Sequence, residues 1–402
     1  MNNSIKQFIA NANYSLDDKM KTFIIGPIPP YRGGIAHSNA ILCRNLSRNN
    51  EVKVLSFSRL FPSFLYPGKW QKEKNRKPEE EIDIEFVVDS INPLNWVNVF
   101  FKIRREKPEL VCILWWTTFL TPCYLAIALL TKFFTKTRVS VLCHNVTPHD
   151  ENRIVKILDC LLTKLFFSTA DYFVTFSKSD KEEVKRMLPK ADVRHIIEPT
   201  YDEAIEDTGI SKQEAKKKIG VNGNSILFFG FVRPYKGLDY LLEAMPAILR
   251  KTDLTLIIAG EFWKGKEQHV NKIKKLGIEK NVKIFDKYLP DKEVINYFRA
   301  CEAVVLPYTS SNESGITRLA FGFGCPVITT RSGANAEHIK HGKNGLLVPP
   351  KNSEKLAEAV ISYYKNSMYT EFKKELLKGK GIFEWNTEKE KLFLGKDHRR
   401  NM

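Results

Sequence analysis

Short, continuous apolar runs alternate with helix-like segments from one end of the chain to the other. In the first half the runs are TFIIG (22–26), VKVLSFS (52–58), IDIEFVVDS (82–90), LVCILW (110–115), RVSVLCHN (138–145), DYFVTFS (171–177) and VRHIIEP (193–199). The second half offers SILFFGF (225–231), LTLIIAG (254–260), VKIFDKY (282–288), EAVVLPY (302–308), PVITT (326–330) and GLLVPP (345–350). Continuous rather than alternating runs are what parallel strands covered on both faces require. Strands alternating with helices predict βαβ units, and hence two doubly wound α/β sheets. The seam falls near residues 199–209, PTYDEAIEDTG, an acidic stretch without periodicity. Just after it, Ser211 with Glu214 has the spacing of a capping box that opens the next helix.

One stretch competes with this scheme. Residues 110–131, LVCILWWTTFLTPCYLAIALLT, carry no charge over a length that could span a bilayer. The expectation is a split: LVCILW a buried strand, TTFLT a turn, and Pro122 the start of a helix, where proline is tolerated. The 402 residues suit two domains. A composition 43% apolar and 27% charged excludes a disordered chain. The net charge of +17 favours polyanionic partners without choosing among them. Seven scattered cysteines with no CxxC pair support neither a zinc site nor a disulfide framework. The first nineteen residues are polar and lack the apolar core of a secretory signal, so a reducing cytoplasm is the expected compartment.

Four turns could carry chemistry. Gly26-Pro-Ile-Pro-Pro-Tyr31-Arg32-Gly33-Gly34 follows the first strand, and its paired glycines let backbone amides approach an anion at a helix start. It is not the GxGxxG dinucleotide fingerprint. Cys143-His144-Asn145-Val146-Thr147-Pro148-His149-Asp150 leaves a predicted strand at its carboxyl end; there a histidine can donate to a phosphate or sugar hydroxyl, or move a proton. A surface turn with incidental histidines is the competing reading. Phe229-Gly230-Phe231-Val232-Arg233-Pro234-Tyr235-Lys236-Gly237 sets two cations on a strand-to-helix turn, where they can neutralise a pyrophosphate leaving group. The lysine has no Walker context, so P-loop chemistry is excluded. Finally, Glu313-Ser314-Gly315-Ile316 precedes a largely apolar helix whose free amides offer another anion seat. Gly333-Ala-Asn-Ala-Glu337 follows further on.

Taken in order, these motifs resemble the family 4 retaining glycosyltransferases of the GT-B fold, over about residues 22–385. The resemblance implies two Rossmann-like domains facing a cleft: an acceptor-side domain over 1–205, a donor-side domain over 206–384, and a segment over 385–402 that crosses back to the first. It implies transfer from a nucleotide-sugar co-substrate to a glycan or lipid-linked acceptor, with neither a resident cofactor nor a metal. By position, His144, Arg233, Lys236 and Glu313 would be catalytic. Gly33, Gly34, Gly230, Ser314, Gly315, Ile316 and Glu337 would bind the donor. Two departures stand out. The first family glutamate corresponds to Glu313 only after displacement by one or two positions, and the second falls on Leu319 or Ala320. The arginine also comes two residues later after its glycine than in the commonest pattern.

Competing functions are a nucleotide-sugar-binding protein that has lost catalysis, a nucleotide-sugar 2-epimerase, and a nucleic-acid-binding protein. The epimerase would need a carboxylate-rich set that the sequence does not assemble. The lysines are spread over amphipathic helices instead of one stripe, and no nucleic-acid-reading module occurs, so no nucleic-acid partner is expected. Paired carboxylates at hydrolase spacing are absent from the sequence motifs as well. The basic residues Lys102, Arg104, Arg105, Lys107, Lys132, Lys136, Arg138, Arg153, Lys156 and Lys164 interleave with Trp115, Trp116, Phe119, Phe133, Phe134, Phe166 and Phe167. That pattern predicts peripheral contact with an anionic membrane, at its cytoplasmic face.

Overall fold

A computed structural model describes residues 19–66, 70–73, 76, 79–146, 153–201, 209–310 and 315–396. All thirteen apolar runs form strands, most of them shorter than the run, with β2 one residue longer at each end. The first sheet holds β1 (Lys21–Ile25), β2 (Glu51–Arg59), β3 (Asp83–Asp89), β4 (Leu110–Trp115), β5 (Arg138–Cys143), β6 (Tyr172–Thr175) and β7 (Val193–His195) in the order β3-β2-β1-β4-β5-β6-β7. The second holds β8 (Asn224–Phe229), β9 (Leu254–Ala259), β10 (Val282–Phe285), β11 (Ala303–Leu306), β12 (Val327–Thr330) and β13 (Gly345–Val348) in the order β10-β9-β8-β11-β12-β13. Every pairing within these sheets is parallel. Strand order reverses between β1 and β4 in one sheet and between β8 and β11 in the other. Crevices outside such switch points are where open α/β sheets bind ligands.

In the first domain the helices are α1 (Gly34–Ser47), α2 (Pro93–Glu106), α3 (Thr121–Phe134), α4 (Arg153–Phe167) and α5 (Lys178–Met187). The charge-free stretch divides as expected. All six residues of β4 are buried, a 3-10 turn follows, and α3 has Pro122 in its first turn. Among the described residues no helix is long and apolar enough to cross a membrane. One face of the sheet packs Val99, Ile103, Tyr124, Ile127, Phe166 and Phe167. The opposite face packs Leu42, Cys43 and Leu46 of α1.

This packing corrects the aromatic pattern read from the sequence. Trp115, Phe166 and Phe167 are core residues, and Trp116 and Phe119 are partly buried against them. Only Phe133 and Phe134 of that set are exposed. Three basic residues of the series are engaged: Lys102 pairs with Glu85 and Glu106, Lys132 with Asp171, and Arg138 donates to carbonyls near the chain end. The exposed apolar positions are instead Leu94, Val97 and Phe101 on α2 and Ile157, Leu158, Leu161 and Leu165 on α4. The side chains of Arg153 and Lys156 lie outside the described residues.

The second domain adds α6 (Lys212–Ile219), α7 (Leu238–Leu249), α8 (Lys266–Lys275), α9 (Asp291–Ala300), α10 (Gly315–Gly322), α11 (Ser353–Lys365) and α12 (Tyr369–Lys378). Ser211 and Glu214 cap α6 reciprocally, as their spacing predicts. The last helix, α13 (Thr387–Leu394), returns to the first sheet. Phe393 and Leu394 are fully buried there, each worth roughly 1.5–3 kcal/mol of burial. Arg194 and Arg138 donate to the carbonyls of Leu392, Leu394 and Gly395, satisfying acceptors that the helix end leaves open.

Candidate active site

The turns singled out in the sequence leave the carboxyl ends of β1, β5, β8 and β11. Gly33 has φ of 113°, a backbone conformation that favours glycine, and Gly34 opens α1 in open space. A Cβ on Gly33 would lie 4.0 Å from the ring of Phe231 in the second domain, so the glycine turn faces the cation turn.

In that second turn, Gly230 has φ of 94°, and a Cβ built there would meet Lys236 Nζ at 2.8 Å and Ile316 Cδ1 at 2.9 Å. The missing side chain therefore makes room for the ammonium and the first residues of α10. Lys236 is buried, and no carboxylate among the described residues pairs with it. Burial first, and the neighbouring Arg233 second, push its ammonium down to about 7. Arg233 rests on Trp263, with its guanidinium carbon 3.6 Å from the ring centroid. Among the described residues, two cations thus stand together without a counter-ion beside the amide-bearing start of a helix. Such a place has the chemistry to take a phosphorylated anion.

His144 follows β5, and its amide donates to the carbonyl of Trp115 at 2.9 Å. The ring is buried, packs edge-on to Phe176 at 5.5 Å, and leaves Nε2 without a hydrogen-bond partner among the described residues. Burial lowers its pKa to about 4, so the imidazole is neutral at pH 7. Glu313, Ser314 and the segment Thr147–Asp150 lie outside the described residues. Glu337 reaches across to the first domain. Its carboxylate accepts from the amides of Lys178 and Ser179, at 3.1 and 3.2 Å, and so caps α5 of the first domain.

Contacts between the domains are what the sequence reading missed. Arg32 Nη2 donates to Glu261 Oε2 at 2.6 Å, Arg76 Nη1 to Asp291 Oδ2 at 2.7 Å, and Tyr66 packs against Trp263 at 5.9 Å. The signal for the first was present: Arg32 stands directly before Gly33, and Glu261 directly after the buried run LTLIIAG. Neither position identifies its partner. A second buried polar node joins Ser38 of α1 and Tyr201 to Glu198, which lies 3.9 Å from Arg318 of α10. Among the described residues, no group of histidine, cysteine and carboxylate side chains could hold a metal ion.

The architecture and site define a GT-B protein: two Rossmann-like domains with a polar cleft between the carboxyl ends of their sheets. Solved structures agree on the fold. Anabaena HepE in complex with UDP superposes with a TM-score of 0.70, at 16% identity, over 94% of this chain and 99% of that one. Sucrose-phosphate synthase of Thermosynechococcus elongatus gives 0.70 at 13% identity, over 94% and 98%. Residues 209–378 match the family model of the group 1 glycosyl transferases, and the chain is related to that family. An uncharacterized glycosyltransferase of Methanocaldococcus jannaschii is 30% identical over 46% of this chain and 49% of its own. D-inositol 3-phosphate glycosyltransferase of Saccharomonospora viridis is 26% identical over 56% and 53%. The chain thus matches about half the length of these curated relatives.

Proposed function

We propose that this protein is a retaining, metal-independent glycosyltransferase that moves a sugar from a nucleotide-sugar donor to a glycan or lipid-linked acceptor. The observation that carries this reading is Lys236, a buried ammonium beside Arg233 and the start of α10 with no carboxylate among the described residues to neutralise it. In the reaction the bond from the anomeric carbon to the diphosphate oxygen breaks, and its electron pair goes to that oxygen. Arg233, Lys236 and the amides of Gly315 and Ile316 neutralise the charge that develops. The acceptor oxygen attacks from the same face, and its proton passes to the departing diphosphate. Gly33 and Gly34 bring backbone up to the reacting centre, and His144 holds the donor sugar. The family resemblance assigns Glu313 to the catalytic set and Ser314 to the donor. Glu337 acts through the position of α5. Leu319 and Ala320 cannot hydrogen-bond ribose hydroxyls with their side chains, so nucleotide selection rests on other contacts.

HepE is solved with UDP-glucose, which makes that compound the first donor to test. Incubation with a panel of nucleotide sugars, read by thermal shift and by slow donor hydrolysis, should show one preferred donor; no shift and no hydrolysis with any of them overturns the reading. Activity should survive EDTA, because side chains and helix amides supply the positive charge. An absolute requirement for magnesium or manganese would overturn metal independence.

We place the enzyme at the cytoplasmic face of an anionic membrane. The support is the outer surface of α2, α3 and α4, where Leu94 is 78% exposed, Phe133 75% and Leu161 61%, with Arg104, Arg105 and Lys164 exposed on the same helices. Each basic residue near such a surface contributes on the order of 1 kcal/mol. Co-sedimentation with anionic vesicles, weakened by salt and absent with zwitterionic ones, is the expected result. Equal recovery in the supernatant with both lipids at low salt would sink it.

A further inference from the structure

We infer that Arg32 and Glu261 are positioning residues whose buried ion pair sets the register between the two halves of the site. The bond is 2.6 Å long, and the two side chains are only 3% and 5% exposed. Arg32 is held at both terminal nitrogens and on its face, while its buried Nε has no partner among the described residues. Its Nη1 donates to the carbonyl of Trp70 at 2.9 Å, its backbone amide donates to Gln71 at 2.9 Å, and its guanidinium lies 4.0 Å from the ring centroid of Tyr288. It is also the residue that leads into Gly33 and Gly34. Glu261 is fixed on the other side of the cleft, where its carbonyl accepts from the amide of Val232 at 2.9 Å. Val232 immediately precedes Arg233. The pair therefore links the glycine turn to the cation turn through one side-chain contact and two short stretches of backbone.

A buried ion pair is a poor way to gain stability, because desolvating two charges offsets most of their attraction. What it does supply is a narrow requirement. Both charges are satisfied only when the domains meet in one placement, and each becomes hydrated when they part. The neighbouring pair Arg76–Asp291 is more exposed, at 19% and 20%, and tolerates misplacement better. The step that needs both turns at once is transfer itself, since it requires the acceptor side and the diphosphate clamp at a fixed separation. Binding of the nucleoside diphosphate needs the second domain's turn alone, whereas the donor sugar also meets His144 of the first domain. Loss of the pair should accordingly lower kcat and leave UDP affinity nearly intact.

The inference rests on the glycosyltransferase reading for its kinetic part only, and the test separates the two. Arg32→Met and Glu261→Gln should each expand the ligand-free protein in X-ray scattering, lower kcat at least tenfold, and change UDP affinity by titration calorimetry less than threefold. Arg32→Lys should recover part of the rate. The double variant Arg32→Met/Glu261→Met should be no slower than the worse single one, because the two residues act as a unit. Additive losses overturn the inference. So does a loss confined to UDP affinity, which would make Arg32 a phosphate ligand, and so does unchanged scattering. If the unaltered protein transfers no sugar from any donor, the functional reading fails, and scattering alone decides: expansion in both single variants supports the pair and no expansion overturns it.

Discussion

Lys236→Met and Arg233→Ala should each lower turnover by two or more powers of ten, equivalent to about 2.7 kcal/mol or more of barrier. A departing diphosphate carries more charge than the bound donor, so the clamp acts mainly in the transition state. Lys236→Met should also raise the melting temperature of the ligand-free protein. The folded chain holds this ammonium at about 7, below its ordinary value of 10.5 in the unfolded chain. Between those values the unfolded state binds more protons, so the lysine's burial costs stability increasingly as pH falls toward 7. Methionine fills similar space without a charge. Binding reverses the sign, because a diphosphate restores the charged form. UDP affinity should be level below pH 7 and weaken above it, and Lys236→Met should flatten that slope. Steady-state kinetics, thermal scans and calorimetry across this range check all three effects. Near-normal turnover in both variants would remove the clamp, and with it most of the functional reading.

The fold was legible because parallel strands covered on both faces must be apolar at successive positions, which thirteen runs display. The cation turn was legible for a similar reason: Gly230, Arg233 and Lys236 lie within seven residues, so local spacing already brings them together. What spacing does not encode is pairing across the cleft. Arg32 and Glu261 are 229 positions apart, and nothing local marks one as the partner of the other. The contact of Glu337 with the amides of Lys178 and Ser179 is hidden in the same way, since it depends on how the domains meet. The helix RIVKILDCLLTKLFF shows a different limit. It is apolar on more than one side, and burying Phe166 and Phe167 leaves Ile157, Leu158, Leu161 and Leu165 outward. Periodicity predicts the helix without choosing which apolar stripe meets the sheet.

His144→Leu should keep or raise thermal stability while lowering transfer about ten- to a hundredfold. Nε2 is buried without a partner among the described residues, and such a group costs about 1–3 kcal/mol. A leucine removes the orphaned nitrogen and retains apolar contact with Phe176, so the ligand-free protein gains or breaks even. The same nitrogen is suited to a donor-sugar hydroxyl, and a hydrogen bond strengthened as charge develops accounts for the expected loss of rate. Because burial holds the imidazole near 4, it is neutral through the physiological range. It can therefore exchange hydrogen bonds but does not serve as a cationic acid at pH 7. The inflection that Lys236 sets near 7 should therefore be unchanged in His144→Leu, and His144→Gln, which keeps a polar group, should recover part of the activity. A leucine variant that loses stability but keeps its specific activity would make His144 a packing residue and leave the donor sugar to other groups.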